Sequence, residues 1–410
     1  MHRPMEGVRV LEIAQYAFVP TAGAVLADWG AEVVKVEHAV RGDAQRGLTH
    51  VMGVEAFQHG RNFAPSVEGP NRGKRSVGLA LDNPDSQEVL RELIRRSDVL
   101  LTNYLPGARA RLGIEVDQVR AINPDIIYAR GSGFGTKGPE ATKPGYDITT
   151  FLARGGVADG STPSSSEFLV GQPSAAYGDS IGGLTLVGGI AAALFARERT
   201  GEPSVVDLSL IGVGAWATQM AVNLAMLNGG PLPRSYVENR ALGRNPLVGN
   251  YKTSDNRWLM LSMLQPGRYW AEFWELVGHP ELIADERFVS AEKIVENAAD
   301  GSNLVAQAIG SRPLAEWLDV FARLSGAWSV VQNSWEVAND PSIRANGLIA
   351  TVTDIDGHKE ELVTTPIQFD EKPYELTRGP QFAEHTDEVL RELGFDEDRI
   401  IGLKVAGAVT

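Results

Sequence analysis

The chain has 410 residues, more than one hydrophobic core usually supports, and its 43% hydrophobic and 22% charged content suits a globular protein of two domains. A net charge of −14 argues against nucleic acid as a partner, and the lack of any cysteine excludes disulfides, thiolate metal sites and a cysteine nucleophile. No uninterrupted apolar run reaches the ~18 residues of a membrane-spanning helix and "MHRPMEGVRVLEIAQ" lacks a signal core, so a cytoplasmic protein is expected.

The charge is unevenly spread. Residues 1–150 hold 18 basic and 18 acidic side chains, and the remainder holds 20 and 34. An anionic ligand is expected on the first part, where "NRGKRS" (71–76) and "GARARLG" (107–113) gather basic groups.

In chain order, "VRVLEIAQ" (8–15) and "AEVVKVEH" (31–38) read as strands around the helix-like "TAGAVLADWG". "SVGLAL" (76–81) reads as a strand, "SQEVLRELIRRS" (86–97) as an amphipathic helix, and "DVLLTNY" (98–104) as the next strand. A short helix through 115–123 leads to the strand "DIIYAR" (125–130). This alternation predicts an α/β fold, a Rossmann-like parallel sheet covered by helices, with ligands beyond the carboxyl ends of the strands. After "DIIYAR" comes "GSGFGTKG" (131–138), a formal G-x-G-x-x-G through Gly133, Gly135 and Gly138. No helix follows: Pro139 and Pro144 break the segment, so the dipole that would hold a pyrophosphate is missing and the glycines read as a cleft loop.

"SIGGLTLVGGIAAALFARER" (180–199) predicts a helix of small and apolar residues, buried in the protein, followed by the strand "SVVDLSL" and a second small-residue helix, "GVGAWATQMAVNLAML". From about 225 to 330 the texture turns aromatic. The expected division is a large domain of 1–224 with 331–410, and a smaller α+β domain of 225–330. Trp258, Tyr269, Trp270 and Trp274 are expected in the core of the smaller one.

The seven His show no ligand spacing, so no metal is expected, and neither a G-x-S-x-G elbow nor a P-loop occurs. The reactive candidate is Asp179 in "AAYGDSIGG". Asp beside a helix start is an ordinary N-cap. The same geometry gives a carboxylate kept ionised by the helix's positive end, with Gly178 leaving space for a substrate, and so a covalent nucleophile.

These segments resemble the class III CoA-transferases, the group that includes formyl-CoA:oxalate, carnitine and bile-acid CoA-transferases. The likeness runs through "GVRVLEIAQ", "LADWGAEVVKVEH", "NRGKRSVGLAL", "LTNYLPGARARLG", "GFGTKGP", "PGYD", "YGDSIGGLTLVGGIAAALFARERTG" and "EHTDEVLRELG", in that order. The resemblance implies coenzyme A and acyl-CoA as substrates with no permanently bound cofactor, a carboxylic acid acceptor, and an intertwined homodimer. Asp179 matches the family's catalytic aspartate, which forms a mixed anhydride and then an aspartyl-CoA thioester. By the same resemblance Gln15, Tyr16 and Ala17 lie by the thioester end, and His38, Leu79 and Leu81 by the adenine. Asn103, Tyr104 and Arg111 match a phosphate-binding segment, and Lys143 and Tyr146 lie on the cleft loop.

Two departures bear on the reaction. "ALGRNPLVGN" (241–250) lacks the glycine run that closes over the site in formyl-CoA transferases. The family's α-methylacyl-CoA racemases place His before the acidic residue where this chain has Tyr146, which favours transfer. A racemase of this fold and an inactive CoA-binding subunit remain as alternatives.

Overall fold

The computed structural model describes residues 3–57, 61–232 and 244–410; the first three residues of the 241–250 segment lie outside them. The chain forms two compact units. The first comprises Met1–Asp159, Gly171–Asn223 and Pro341–Thr410, and the second Gly160–Val170 and Leu224–Asp340. The short excursion at 160–170 carries no signal in composition.

The first unit is built on six strands: β1 (Arg9–Ile13), β2 (Glu32–Glu37), β3 (Arg75–Gly78), β4 (Val99–Thr102), β5 (Ile127–Ser132) and β6 (Val205–Ser209). They lie in the order β3-β2-β1-β4-β5-β6, every neighbour parallel. This is the doubly wound order, and its direction reverses between β1 and β4. Both faces of the sheet are covered, which is why the strands read as apolar runs. On one face Val10, Leu101 and Ile127 pack with α1 (Phe18–Asp28) and α4 (Tyr177–Thr200). On the other, Leu11, Leu100 and Tyr128 pack with α2 (Gln87–Arg95) and the late helices Thr386–Leu393 and Glu397–Val405. The remaining elements by the site are α3 (Pro106–Leu112), after β4, and α5 (Leu210–Ala217), after β6.

Three elements differ from their sequence pattern. Helix α1 starts at Phe18, earlier than its apolar pattern suggests, because Pro20 falls in the first turn, where a missing N–H leaves no bond unmade. The glycine-rich helix α4 runs 24 residues, past its apolar run, and buries Gly182, Gly183, Leu186, Val187 and Ile190 in the unit. Its Gly183 lies against α1: a methyl there would come 2.7 Å from Thr21 Cβ and 2.9 Å from the Phe18 carbonyl oxygen. The segment 212–227 is two helices bent by 74° at Thr218, whose hydroxyl donates to the carbonyls of Gly155 and Gly214.

In the second unit an antiparallel sheet of Val248–Lys252, Trp258–Ser262 and Trp328–Val330 packs with helices Pro266–Val277, Ala298–Gly310 and Leu314–Phe321. Trp270, Trp274 and Trp317 are buried in its core, Tyr269 packs at the core's edge, and Trp258 lies outside it at 38% exposure.

Candidate active site

Every loop lining the principal cleft of the first unit leaves the carboxyl end of a strand. Gln15, Tyr16 and Phe18 follow β1, Asn103 to Arg109 follow β4, Gly133 to Tyr146 follow β5, and Leu210 follows β6. The cleft encloses about 520 Å³, and Asp179 at the start of α4 reaches into it. Gln15 and Asn103 lie just past the carboxyl ends of the two strands where the winding reverses, the place where open α/β sheets hold their ligands.

The Gln15–Tyr16 corner is held from two sides. Asn103 Oδ1 accepts the Gln15 N–H (3.1 Å), its Nδ2 donates to the Gln15 carbonyl (2.7 Å), and Gln15 Nε2 donates to the Tyr104 hydroxyl (2.9 Å). Asn103 is thus occupied in holding backbone. Tyr16 takes a left-handed conformation (φ 63°), uncommon for a side chain of its size, and its N–H donates to Asp43 Oδ1 (3.1 Å). Its ring meets Tyr146 edge to face at 5.6 Å.

Asp43 belongs to a buried charge cluster beneath this corner. Lys35 Nζ contacts Asp43 Oδ2 (2.8 Å), Glu12 Oε1 (3.0 Å) and the Ala14 carbonyl (3.0 Å). Lys74 Nζ meets Glu12 Oε2 (2.6 Å) and the Pro20 carbonyl (2.8 Å). All four side chains are buried. Burial opposes charge on Lys35, but Glu12, Asp43 and Glu37 outweigh it and hold the ammonium above its ordinary range. For Lys74 burial wins, aided by the charge on Lys35, and pushes the ammonium down to about 7.

The glycine loop after β5 crosses the 144–147 segment backbone to backbone. A methyl on Gly133 would come 2.7 Å from Gly145 Cα, while Gly135 and Gly138 have φ values of 90° and 91° that favour glycine. The motif serves this crossing and forms a wall of the cleft.

Asp179 is third in the first turn of α4, not its cap; the cap position is Ala176, left-handed at φ 56°. The first amides of the helix are taken by Asp147, next to Tyr146. Both of its carboxylate oxygens accept the Gly178 N–H, at 3.1 and 3.2 Å, and the amides of Tyr177 and Asp179 also point to it. Gly178 faces this capping group: a methyl there would strike Asp147 Oδ1 and the Phe151 ring. The glycine therefore admits the cap behind the helix start, correcting the expectation that it opens room for substrate. Among the described residues, no hydrogen bond or ion pair engages the Asp179 carboxylate. With the helix amides taken by Asp147, burial and then the Asp147 charge push Asp179 up to about 7, so the carboxyl is not held fully ionised at neutral pH as its place at a helix start suggested.

Of the residues singled out by sequence, Gln15, Tyr16, Asn103, Tyr104, Tyr146 and Asp179 come together on the cleft. Ala17 is buried as the residue capping α1. Leu79 and Leu81 lie in the hydrophobic core, at 0% and 8% exposure, because they continue an edge strand that packs against Val409 and α2. The His38 ring Nδ1 accepts the amides of Val40 and Arg41. Arg111 is exposed on α3, and it is Arg109, buried and in contact with Glu115, that borders the cleft. Lys143 is exposed and paired with Glu140.

Sequence reasoning missed Asp147, Asp43 and Arg109. The buried cluster had one visible signal: Glu12 and Lys35 are charges inside otherwise apolar parallel strands. A trio with metal-ligating atoms, Asp354, Asp356 and His358, sits in a hairpin turn, where Asp354 already accepts the amides of Asp356 and His358.

The CoA-transferase family III model matches residues 5–386 of the chain. The chain is 29% identical to the (R)-2-hydroxy-4-methylpentanoate CoA-transferase of Clostridioides difficile, over 98% of each chain. It is 30% identical to the formyl-CoA:oxalate CoA-transferase of Streptomyces coelicolor, over 99% of each. A CaiB/BaiF family protein from Brucella suis superposes with a TM-score of 0.80 at 26% identity, over 96% of this chain and 100% of that one. Fold, ordered motifs and family model agree, and the chain belongs to CoA-transferase family III.

Proposed function

We propose that this protein moves CoA from an acyl-CoA donor to a carboxylic acid acceptor, with Asp179 as the covalent carrier. An Asp179 oxygen attacks the thioester carbonyl, the C–S bond breaks, and a mixed anhydride and CoA thiolate form. The thiolate attacks the aspartyl carbon of the anhydride, giving an aspartyl-CoA thioester and releasing the donor acid. The acceptor carboxylate then attacks that thioester, and the returning thiolate takes the new acyl group and frees Asp179. No step needs a metal or an external proton donor.

One observation carries the reading: the Asp179 carboxylate faces a ligand-sized cleft with no hydrogen bond or ion pair among the described residues, its capping duty done by Asp147. The start of α1 beside Tyr16 offers backbone amides to a developing oxyanion. Tyr16, Tyr104 and Tyr146 give the pantetheine and acyl ends an amphipathic lining. A homodimer belongs to the same proposal. It is supported by exposed apolar side chains after β6, with Trp216 and Met220 each 71% exposed.

The test is to incubate the protein with an acyl-CoA, add hydroxylamine, and look for a hydroxamate at Asp179 by mass spectrometry. A modified Asp179 in wild type, with transfer abolished in Asp179→Ala, is expected. Transfer by Asp179→Ala at the wild-type rate overturns the reading. Deuterium uptake at the acyl α-carbon without any acceptor acid marks a racemase instead.

A further inference from the structure

The buried carboxylate of Asp147 has no salt-bridge partner among the described residues, and it stands directly behind the residue proposed to do the chemistry. It is 6% exposed, and what it touches are the first amides of α4. We propose that Asp147 is a positioning residue for the transfer: it caps α4 in place of Asp179, leaving the Asp179 carboxylate free in the cleft, and holds a second negative charge behind it. This rests on the reading of Asp179 as the carrier.

Two carboxylates share one helix start, and only one can take the amides. Asp147 takes them because it sits at the beginning of the wide helical turn Ile148–Arg154, whose Phe151 packs against Gly178. Asp179 is left with the adverse half of the arrangement, a partly buried site beside a like charge, and its affinity for a proton rises accordingly. A carboxylate that binds protons more tightly is also the stronger nucleophile once ionised, so the pair exchanges reactivity against the pH at which it becomes available. The other groups on the cleft do not compensate Asp147. Tyr16 and Tyr104 are pushed up by burial, Tyr146 packs on Tyr16, Arg109 is paired with Glu115 and Arg130 with Asp207.

The test compares pH profiles of kcat/KM for the wild type, Asp147→Asn and Asp147→Glu, because the acid limb reports the free enzyme's carboxyl. Asn keeps an oxygen for the Gly178 amide and removes the charge; Glu keeps the charge. The expected result is an acid limb shifted down by about one pH unit in Asp147→Asn, with roughly tenfold more activity relative to its own plateau well below the midpoint. Asp147→Glu should keep the wild-type limb. Asp147→Ser, a neutral side chain that still accepts, should give the same shift if the Asn variant folds poorly. An unchanged limb in both neutral variants overturns the proposal and reduces Asp147 to a structural cap. Asp179→Asn, run alongside, separates the two failures. If it turns over at the wild-type rate, the carrier reading itself falls, whereas an inactive Asp179→Asn with an unmoved limb sinks only the role of Asp147.

Discussion

In the proposed reading Asp179 and Asp147 divide between them two tasks that one aspartate at a helix start would ordinarily combine, and the division should show in stability as well as reactivity. Because Asp179 binds its proton more tightly folded than unfolded, its contribution worsens as pH rises from the ordinary aspartate range toward about 7, then levels off. Asp179→Asn removes that cost. It is expected to melt higher than wild type above pH 7, by about 2–4 °C, with the difference closing as pH falls toward 4; paired thermal melts across that range check the sign. At this scale the sequence showed the Gly-Asp and could not show its partner. Asp147 lies 31 positions before Gly178, in the "PGYD" segment, which was read for its tyrosine and not for the aspartate after it. Asn103 was legible as a site residue, but its role was not: its side chain is taken up by the backbone of Gln15.

Among the elements, β1, β2 and the loops after them carry a second dependence. Glu12 is shared by two buried lysines, and one of these also holds Asp43, which fixes the Tyr16 turn on the cleft. Removing one member of a buried ion cluster leaves charge without a partner, which costs about 3–5 kcal/mol. Glu12→Gln is therefore expected to lose stability on that scale in urea denaturation. Replacing the whole group with apolar residues would not carry the same cost, because no charge would be stranded. The strands themselves were readable from their apolar runs, and the helices from their period. The break at Thr218 was not, because the hydroxyl that bends the chain bonds to the carbonyl of Gly155, 63 residues away.

For the molecule as a whole, a parallel sheet beneath helices was legible from the alternation of strand and helix patterns, while the strand order was not, since nothing local states which neighbour a strand takes. That order matters most for function, because it puts the ends of β1 and β4 side by side and brings Gln15 and Asn103 together. The proposed homodimer is checked by light scattering, with twice the chain mass expected, and Trp216→Asp with Met220→Lys should shift the mass toward one chain. The Gly133–Gly145 crossing also limits how this protein can change its diet. At that crossing main chain meets main chain, and a side chain added to either glycine would strike the other segment. New acids are expected to be accommodated through side chains that line the cleft, such as Tyr16, Tyr146 and Leu210, so variants with altered acid preference should cluster there and leave Gly133 and Gly145 untouched.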